Sequence, residues 1–115
     1  MKKLWLSFHY ATEGLIQALK SERNLRIHIF SAVIVVIFGF LCKISSVEWC
    51  ILLLTIGGMI VLELINTAIE RTVDLATDKI HPLAKQAKDI AAAACFIFAI
   101  ISVIIGLLIF LPKIT

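Results

Sequence analysis

Three long runs of apolar residues dominate the chain. The first begins at Ile27, the second begins near Val47 and continues to Ile69 around Glu63 and Asn66, and the third covers residues 90–112 without a charged residue. Lipid offers the backbone no hydrogen-bonding partners, so such runs must form helices, and about 20 residues cross a bilayer. The pattern predicts three membrane-spanning helices, over residues 27–45, 47–70 and 90–111.

The segment before the first run has a different periodicity. Between residues 3 and 22 apolar side chains recur every three or four positions, and most polar side chains lie off that stripe. This spacing predicts an amphipathic helix in the membrane interface. A helix packed on soluble protein is the alternative, but the chain has no soluble remainder to cover it. The apolar stripe consists of Leu4, Phe8, Ala11, Leu15 and Leu19.

Composition supports a membrane protein of one domain. Of the 115 residues, 61% are hydrophobic and 17% are charged, whereas soluble domains average about 45–50% and about 25%. These values exclude disorder and leave no length for a second domain. We therefore expect residues 1–115 to form one all-α membrane domain, with a surface helix and three spans. The small residues Gly57, Gly58 and 91–94 predict close helix contacts.

The basic residues indicate how the chain is oriented. Five Lys or Arg residues precede the first span and four lie between the second and third, whereas only Lys43 and Lys113 lie at the opposite ends. The positive-inside rule predicts a cytoplasmic N-terminus and an external C-terminus. This rule and attraction to anionic lipids account for the net charge of +3, so no nucleic-acid partner is needed.

The three cysteines show no metal-ligand spacing, and we interpret them as small apolar residues. Cys42 and Cys50 flank the predicted outer loop, so their spacing leaves a disulfide between them open. The N-terminal 26 residues contain no signal-peptide pattern, and we expect that segment to be retained.

A polar stripe marks the cytoplasmic end of the second span. Glu63, Asn66, Glu70 and Asp74 are separated by three, four and four residues, so they share one face of a helix. Ionisable residues inside a span are costly and tend to mark function. The structural alternative is a helix-packing hydrogen bond through Asn66, with the carboxylates solvated at the interface.

The two glutamates of this stripe suit two different roles. Glu63 and Glu70 lie about 10 Å apart along a helix, which is too far to share one ion. Magnesium takes one or two protein carboxylates together with water and phosphate oxygens, and Glu70, nearer the cytoplasm, suits that role. Glu63, nearer the hydrocarbon, suits a general base acting on a lipid hydroxyl.

Two further segments lie on the same side of the membrane. In residues 81–89, Pro82 fits the first turn of a helix, Lys88 could meet a phosphate, and Asp89 could hold Lys88 or bind a nucleotide. In residues 21–28, Glu22 is either a metal ligand within reach of Glu70 or a solvated partner of a nearby arginine. No phosphate-binding loop or kinase catalytic-loop motif of soluble proteins is present.

Three segments occur in a characteristic order on this chain: SERNLRIH (21–28), ELINTAIERTVD (63–74) and HPLAKQAKD (81–89). Together they resemble the small prokaryotic diacylglycerol kinase family, and most closely its undecaprenol kinase branch from Gram-positive bacteria. The resemblance covers nearly the whole chain. It implies a homotrimer in the bacterial cell membrane, with active sites built between subunits.

The resemblance also implies roles for individual residues. Glu63 would be the catalytic base that contacts the lipid alcohol, and Glu22 and Glu70 would bind the Mg²⁺ that accompanies ATP. His28 stands where the proteobacterial members carry a carboxylate, which favours the undecaprenol branch. The remaining nucleotide contacts would come from Tyr10, Asn66, His81, Lys88 and Asp89.

The residues and the resemblance leave four functions open. The first is an ATP- and Mg²⁺-dependent kinase that converts undecaprenol to undecaprenyl phosphate, and the second is a kinase of diacylglycerol. The third is a small proton-coupled transporter with Glu63 as its membrane carboxylate. The cytoplasmic position of Glu63 favours chemistry at the interface over transport, for which a midplane position is expected. The fourth is a non-catalytic membrane subunit, in which Glu63 and Glu70 could be replaced without loss of turnover.

Overall fold

The computed structural model describes residues 2–115, which form four helices. These helices are α1 (Lys2–Ser21), α2 (Arg23–Leu41), α3 (Ser46–Ala76) and α4 (Pro82–Ile114). The last three are each long and apolar enough to cross a membrane. The chain is therefore an all-α, multi-pass membrane protein, as the hydropathy pattern predicts.

The turn between α2 and α3 is fixed by local signals. Lys43 has a φ of 52°, a left-handed conformation that a helix cannot contain, so α2 ends at Leu41. The last four residues of the predicted first span, 42–45, form this turn. Ser45 then begins α3 with a capping box, in which its side chain accepts from the Glu48 amide and the Glu48 carboxylate accepts from the Ser45 amide.

The C-terminal end of α3 and the N-terminal end of α4 extend beyond the predicted spans. α3 has 31 residues and α4 has 33, which correspond to about 46 and 50 Å, against about 30 Å of hydrocarbon. α4 begins with Pro82 at its first turn, as predicted, and the His81 side chain caps it by accepting from the Leu83 amide. The extra turns place polar side chains of both helices outside the hydrocarbon.

α3 is the central helix of the arrangement. It packs mainly against α4 and less extensively against α2, while α1 contacts α2 and α3 only near its C-terminal end. The radius of gyration is 17.1 Å, compared with about 13 Å for a compact domain of this length. One copy of the chain is thus an open layer, with few fully enclosed side chains.

The end of the layer that holds the turn between α2 and α3 is its best-packed part. Ile44, Leu52 and Ile109 form a buried apolar cluster there. The Glu48 carboxylate, besides capping α3, lies 3.2 Å from the Nζ of Lys113 near the end of α4. The turn, the start of α3 and the end of α4 are therefore held together on that side. The three cysteines are free.

A close contact between α3 and α4 depends on one glycine. A Cβ atom at Gly58 would overlap the ring of Phe98, whereas a Cβ at Gly57 would meet nothing within 4 Å. Of the Ala91–Ala94 run, only Ala91 is buried. Within one copy of residues 2–115, the close contacts predicted for the small residues thus form at Gly58 and Ala91.

We expect Gly58→Ala to lower the free energy of unfolding by about 1–3 kcal/mol, because the Phe98 ring must leave its position. Gly57→Ala is the matched control. It should leave stability unchanged or raise it by up to about 1 kcal/mol, through helix propensity. Unfolding followed by circular dichroism in micelles measures both, and equal stability of the two variants would contradict the packing role of Gly58.

Candidate active site

The buried face of α3 includes a carboxylate. The buried residues of this helix recur every three or four positions, and the side chains on either side of Glu63 in this series are Met59 and Thr67. Glu63 is only 6% exposed, so its charge is held inside the helix layer. The Thr67 hydroxyl donates to the carbonyl of Glu63 (2.9 Å) and is thereby satisfied within the helix.

His28 of α2 faces this carboxylate. Its Nε2 lies 3.5 Å from Oε1 of Glu63, at the outer limit of a hydrogen bond. The sequence singled out His28 as a departure from relatives but did not identify it as the partner of Glu63. This contact joins α2 to the polar stripe of α3.

The next two residues of the stripe are joined to each other. Nδ2 of Asn66 donates to Oε1 of Glu70 over 3.2 Å. Oδ1 of Asn66 is buried, and no hydrogen-bond partner for it exists within residues 2–115. Since more than about 90% of buried polar groups are hydrogen-bonded, this oxygen is an exception, and the polar stripe is incompletely satisfied within one copy.

A polar cavity of about 290 Å³ opens beside these side chains. Glu63 and Asn66 line it from α3, Asn24 and His28 line it from α2, and α4 contributes its small and aromatic residues around Cys95. The sequence analysis did not name Asn24. Its spacing of four residues from His28 on one helix was the available signal. The cavity gives the buried carboxylate access to a ligand.

A second polar cluster lies where the end of α3 meets the start of α4. Nζ of Lys88 contacts Oδ1 of Asp74 at 2.5 Å, and Nζ of Lys85 contacts Oδ2 of Asp89 at 2.6 Å. A larger cavity, of about 530 Å³, is lined by Asp74, His81, Lys85 and Lys88. The structure thus brings His81 and Lys88 to one cavity, while Asp89 is engaged with Lys85.

Tyr10 and Glu22 stand apart from these two clusters. Tyr10 is exposed on α1, about 16 Å along the helix from Ser21. Glu22 is half-buried between α1 and α2 and makes no side-chain cap bond. Nη2 of Arg71 donates to the Ser21 hydroxyl, and this contact brings the segment containing Glu22 beside the turn of α3 that contains Glu70.

The donor set near Glu70 fits Mg²⁺. Within the described part of the chain, no three His, Cys, Asp or Glu side chains cluster as a complete metal site. Magnesium does not need one, because it commonly takes one or two carboxylates and completes its shell with water and phosphate oxygens. The Glu70 carboxylate and the unpartnered amide oxygen of Asn66 are hard oxygen donors of the kind it takes.

These features define a membrane protein with a carboxylate site inside its helix layer and a second cavity, lined by charged residues, between the end of α3 and the start of α4. A sequence model described as "Prokaryotic diacylglycerol kinase" matches residues 9–110. The chain therefore belongs to the prokaryotic diacylglycerol kinase family, a family of lipid kinases.

Individual relatives agree with this assignment. An undecaprenol kinase of Bacillus subtilis is 56% identical over 98% of this chain and 92% of its own length. A diacylglycerol kinase of Synechocystis is 42% identical over 95% of this chain, which spans 63% of that relative. A diacylglycerol kinase of Helicobacter pylori is 39% identical over 81% of this chain and 73% of the relative.

We expect Asn66→Leu to leave the free energy of unfolding within about 1 kcal/mol of wild type, because the change removes an unpartnered buried oxygen along with one hydrogen bond. Thermal unfolding in micelles measures it. Thr67→Leu is the control: this neighbouring residue is fully packed and satisfied within α3, so the larger side chain should cost more. Equal destabilisation by the two changes would contradict the interpretation that Asn66 serves ligand binding and not the packing of the helices.

Proposed function

We propose that the protein is an ATP- and Mg²⁺-dependent kinase that phosphorylates undecaprenol to undecaprenyl phosphate. The observation that carries the acceptor is the 56% identity to an undecaprenol kinase over 98% of the chain. The diacylglycerol kinases among the relatives make diacylglycerol the alternative acceptor. The buried Glu63 beside a polar cavity supplies a group suited to either reaction.

Glu63 acts as the general base in this proposal. Its carboxylate accepts the proton of the lipid hydroxyl as the hydroxyl oxygen attacks the γ-phosphorus of ATP. A bond forms between that oxygen and the phosphorus, the bond from phosphorus to the bridging oxygen breaks, and ADP leaves. His28, 3.5 Å from Glu63, holds the carboxylate towards the cavity. No covalent intermediate with the protein is required.

Glu70 and Glu22 would hold the Mg²⁺ that arrives with ATP, and Asn66 would contact the transferred phosphoryl group. When bound, the ion neutralises charge on the phosphates and aligns them. The hydrogen bond from Asn66 keeps the Glu70 carboxylate oriented. The contact between Ser21 and Arg71 supports the placement of Glu22 on the same side.

The cytoplasmic cavity is the proposed nucleotide site. Lys88 supplies a positive charge for the phosphates after its ion pair with Asp74 breaks. An exposed ion pair of this kind stabilises the protein by only about 0–1 kcal/mol. His81 lines the same cavity. Asp89 and Tyr10 complete the proposed contacts. Both side chains are exposed in a single copy, and Asp89 would meet a ligand or a second subunit after its ion pair with Lys85 breaks.

We further propose that the protein functions as a homotrimer with shared sites. A single copy is an open layer, and the buried oxygen of Asn66 lacks a partner within residues 2–115. Three helices do not enclose a nucleotide and a lipid alcohol together. Neighbouring copies would supply the missing walls.

The proposed location is the bacterial cell membrane, with the N-terminus in the cytoplasm and the C-terminus outside. The distribution of Lys and Arg supports this orientation. Nearly all of α1 is exposed in a single copy, including Leu4, Phe8 and Leu15. We propose that α1 is an amphipathic helix that rests in the interface, with these side chains in lipid.

The deciding experiment is transfer of labelled phosphate from ATP, with Mg²⁺, to undecaprenol and to diacylglycerol in parallel, using full-length protein in mixed micelles. Preference for undecaprenol supports the proposal. Preference for diacylglycerol moves the protein to the alternative acceptor. Transfer to neither, with folding verified, would favour the transporter or the non-catalytic subunit.

We expect Glu63→Gln to reduce kcat by at least about 100-fold, because the amide keeps the shape of the side chain and cannot take a proton. ATP binding, followed by a fluorescent nucleotide analogue, should change little. Glu48→Gln is the matched control on the same helix, remote from the site, and should retain turnover. A Glu63→Gln variant with wild-type turnover would remove Glu63 as the base.

We expect Glu70→Gln to raise the Mg²⁺ concentration needed for half-maximal activity by about ten-fold or more, since a charged ligand is lost. The apparent KM for ATP should rise with it, and excess Mg²⁺ should restore part of the rate. A Mg²⁺ titration of initial rates tests this. An unchanged Mg²⁺ dependence would argue against a metal role for Glu70.

A further inference from the structure

The chain bends between α1 and α2, and side-chain hydrogen bonds hold the bend. α1 ends at Ser21, α2 begins two residues later, and Glu22 between them has an extended backbone. The last carbonyls of a helix have no partner within it and need other donors. Nη1 of Arg26 supplies two of these bonds, because it donates to the carbonyls of Leu19 and Lys20 over 2.8 and 3.0 Å. Arg26 therefore closes the end of α1 across the bend.

A second contact joins the same bend to α3. Nη2 of Arg71 donates to the hydroxyl oxygen of Ser21, and that hydroxyl donates to the carbonyl of Gln17 over 2.9 Å. The hydroxyl hydrogen is thus engaged within α1, and the oxygen remains as an acceptor for the guanidinium. A hydrogen bond from a charged donor is stronger than one between neutral groups. The end of α1 is therefore held against α3 at this point.

This contact lies beside two carboxylates. Glu22 directly follows Ser21 in the chain. Glu70 directly precedes Arg71, so each partner of the hydrogen bond is next in sequence to a glutamate. Asn66 orients Glu70 from the preceding turn, whereas Glu22 has no ion pair within residues 2–115. The position of Glu22 therefore depends on the backbone of the bend.

We propose that Ser21 and Arg71 are positioning residues for the metal site. Their hydrogen bond holds the Glu22 carboxylate near that of Glu70. The inference rests on the proposed function, in which these two glutamates bind Mg²⁺. Magnesium demands near-ideal octahedral geometry and tolerates displaced ligands poorly. Loss of the hydrogen bond should therefore weaken metal binding, although neither residue supplies a ligand.

Ser21→Ala is the first test, because it removes the acceptor and changes no charge. We expect the dissociation constant for Mn²⁺, the probe for Mg²⁺, to rise by about three-fold or more through loss of one hydrogen bond. Electron paramagnetic resonance of free Mn²⁺ measures it, with full-length protein in micelles and a non-hydrolysable ATP analogue. Ser7→Ala is the matched control. Its hydroxyl also donates to a carbonyl one turn earlier in α1, over 3.0 Å, and this variant should match wild type.

Arg71→Gln removes the donor and should raise the same dissociation constant. If the two residues act through their hydrogen bond, adding Ser21→Ala to Arg71→Gln should weaken Mn²⁺ binding no further. Arg71→Lys keeps a charged donor and should restore part of the affinity. Arg23→Gln makes the same change of charge beside Glu22 and should not weaken binding. Weak binding in Arg71→Gln with wild-type binding in Ser21→Ala would assign Arg71 to the phosphates and overturn the positioning role.

Kinetics separates positioning from general damage to the fold. In the kinase assay, Ser21→Ala should raise the Mg²⁺ concentration for half-maximal rate by the same factor as the Mn²⁺ dissociation constant. At saturating Mg²⁺, kcat should stay within about two-fold of wild type, because the reacting groups are unchanged. A loss of rate that excess Mg²⁺ does not restore would contradict the proposal.

The outcomes also distinguish this proposal from the function on which it rests. If Glu70→Gln weakens Mn²⁺ binding and Ser21→Ala does not, the metal site stands and the positioning role is wrong. If Ser21→Ala weakens Mn²⁺ binding but wild-type protein phosphorylates no lipid alcohol, the positioning role stands and the proposed function has failed. If Glu70→Gln binds Mn²⁺ as wild type does, Glu70 is not a metal ligand and the positioning role is wrong with it.

Discussion

The structure depends on keeping a carboxylate inside a layer of apolar helices. A charge in hydrocarbon is costly unless protein or water surrounds it, so Glu63 requires a partner and an opening. His28 provides the partner, 3.5 Å away, and the polar cavity provides the opening. α3 can meet this requirement because it packs against both α2 and α4. Protein therefore covers the Glu63 side chain from two directions.

The two ends of the layer differ in a way that suits this arrangement. At the end that holds the turn between α2 and α3, Ile44, Leu52 and Ile109 close an apolar cluster, and Glu48 joins the start of α3 to Lys113 of α4. At the opposite end the contacts are exposed ion pairs, such as that between Lys88 and Asp74, which break at little cost. The packed end holds the helices in register, while the polar end stays open to ligands.

The helices were predictable from the sequence because lipid permits only helical backbone. The polar stripe was predictable because all its residues lie on one helix, three or four positions apart. The left-handed Lys43, which ends α2 at Leu41, needed the structure. So did the pairing of His28 with Glu63, since a contact between helices depends on their rotation and tilt. The capping box that begins α3 has a sequence signature, a serine at 45 and a glutamate three residues later, but it was not predicted. The role of Tyr10 is implied by the resemblance alone, whereas for Glu22 the residues left a metal role and an arginine partner open. A single copy leaves both side chains outside the two polar clusters.

The capping box at Ser45 also sets a depth in the membrane. Glu63 follows Ser45 by eighteen positions along an uninterrupted helix, a rise of about 27 Å, close to the thickness of the hydrocarbon. A bilayer with one boundary at Ser45 would place Glu63 near its other boundary. A bilayer a few ångströms thicker would draw Glu63 into hydrocarbon or force the helices to change tilt. The length of helix between Ser45 and Glu63 therefore sets the bilayer thickness at which Glu63 stays at the membrane boundary.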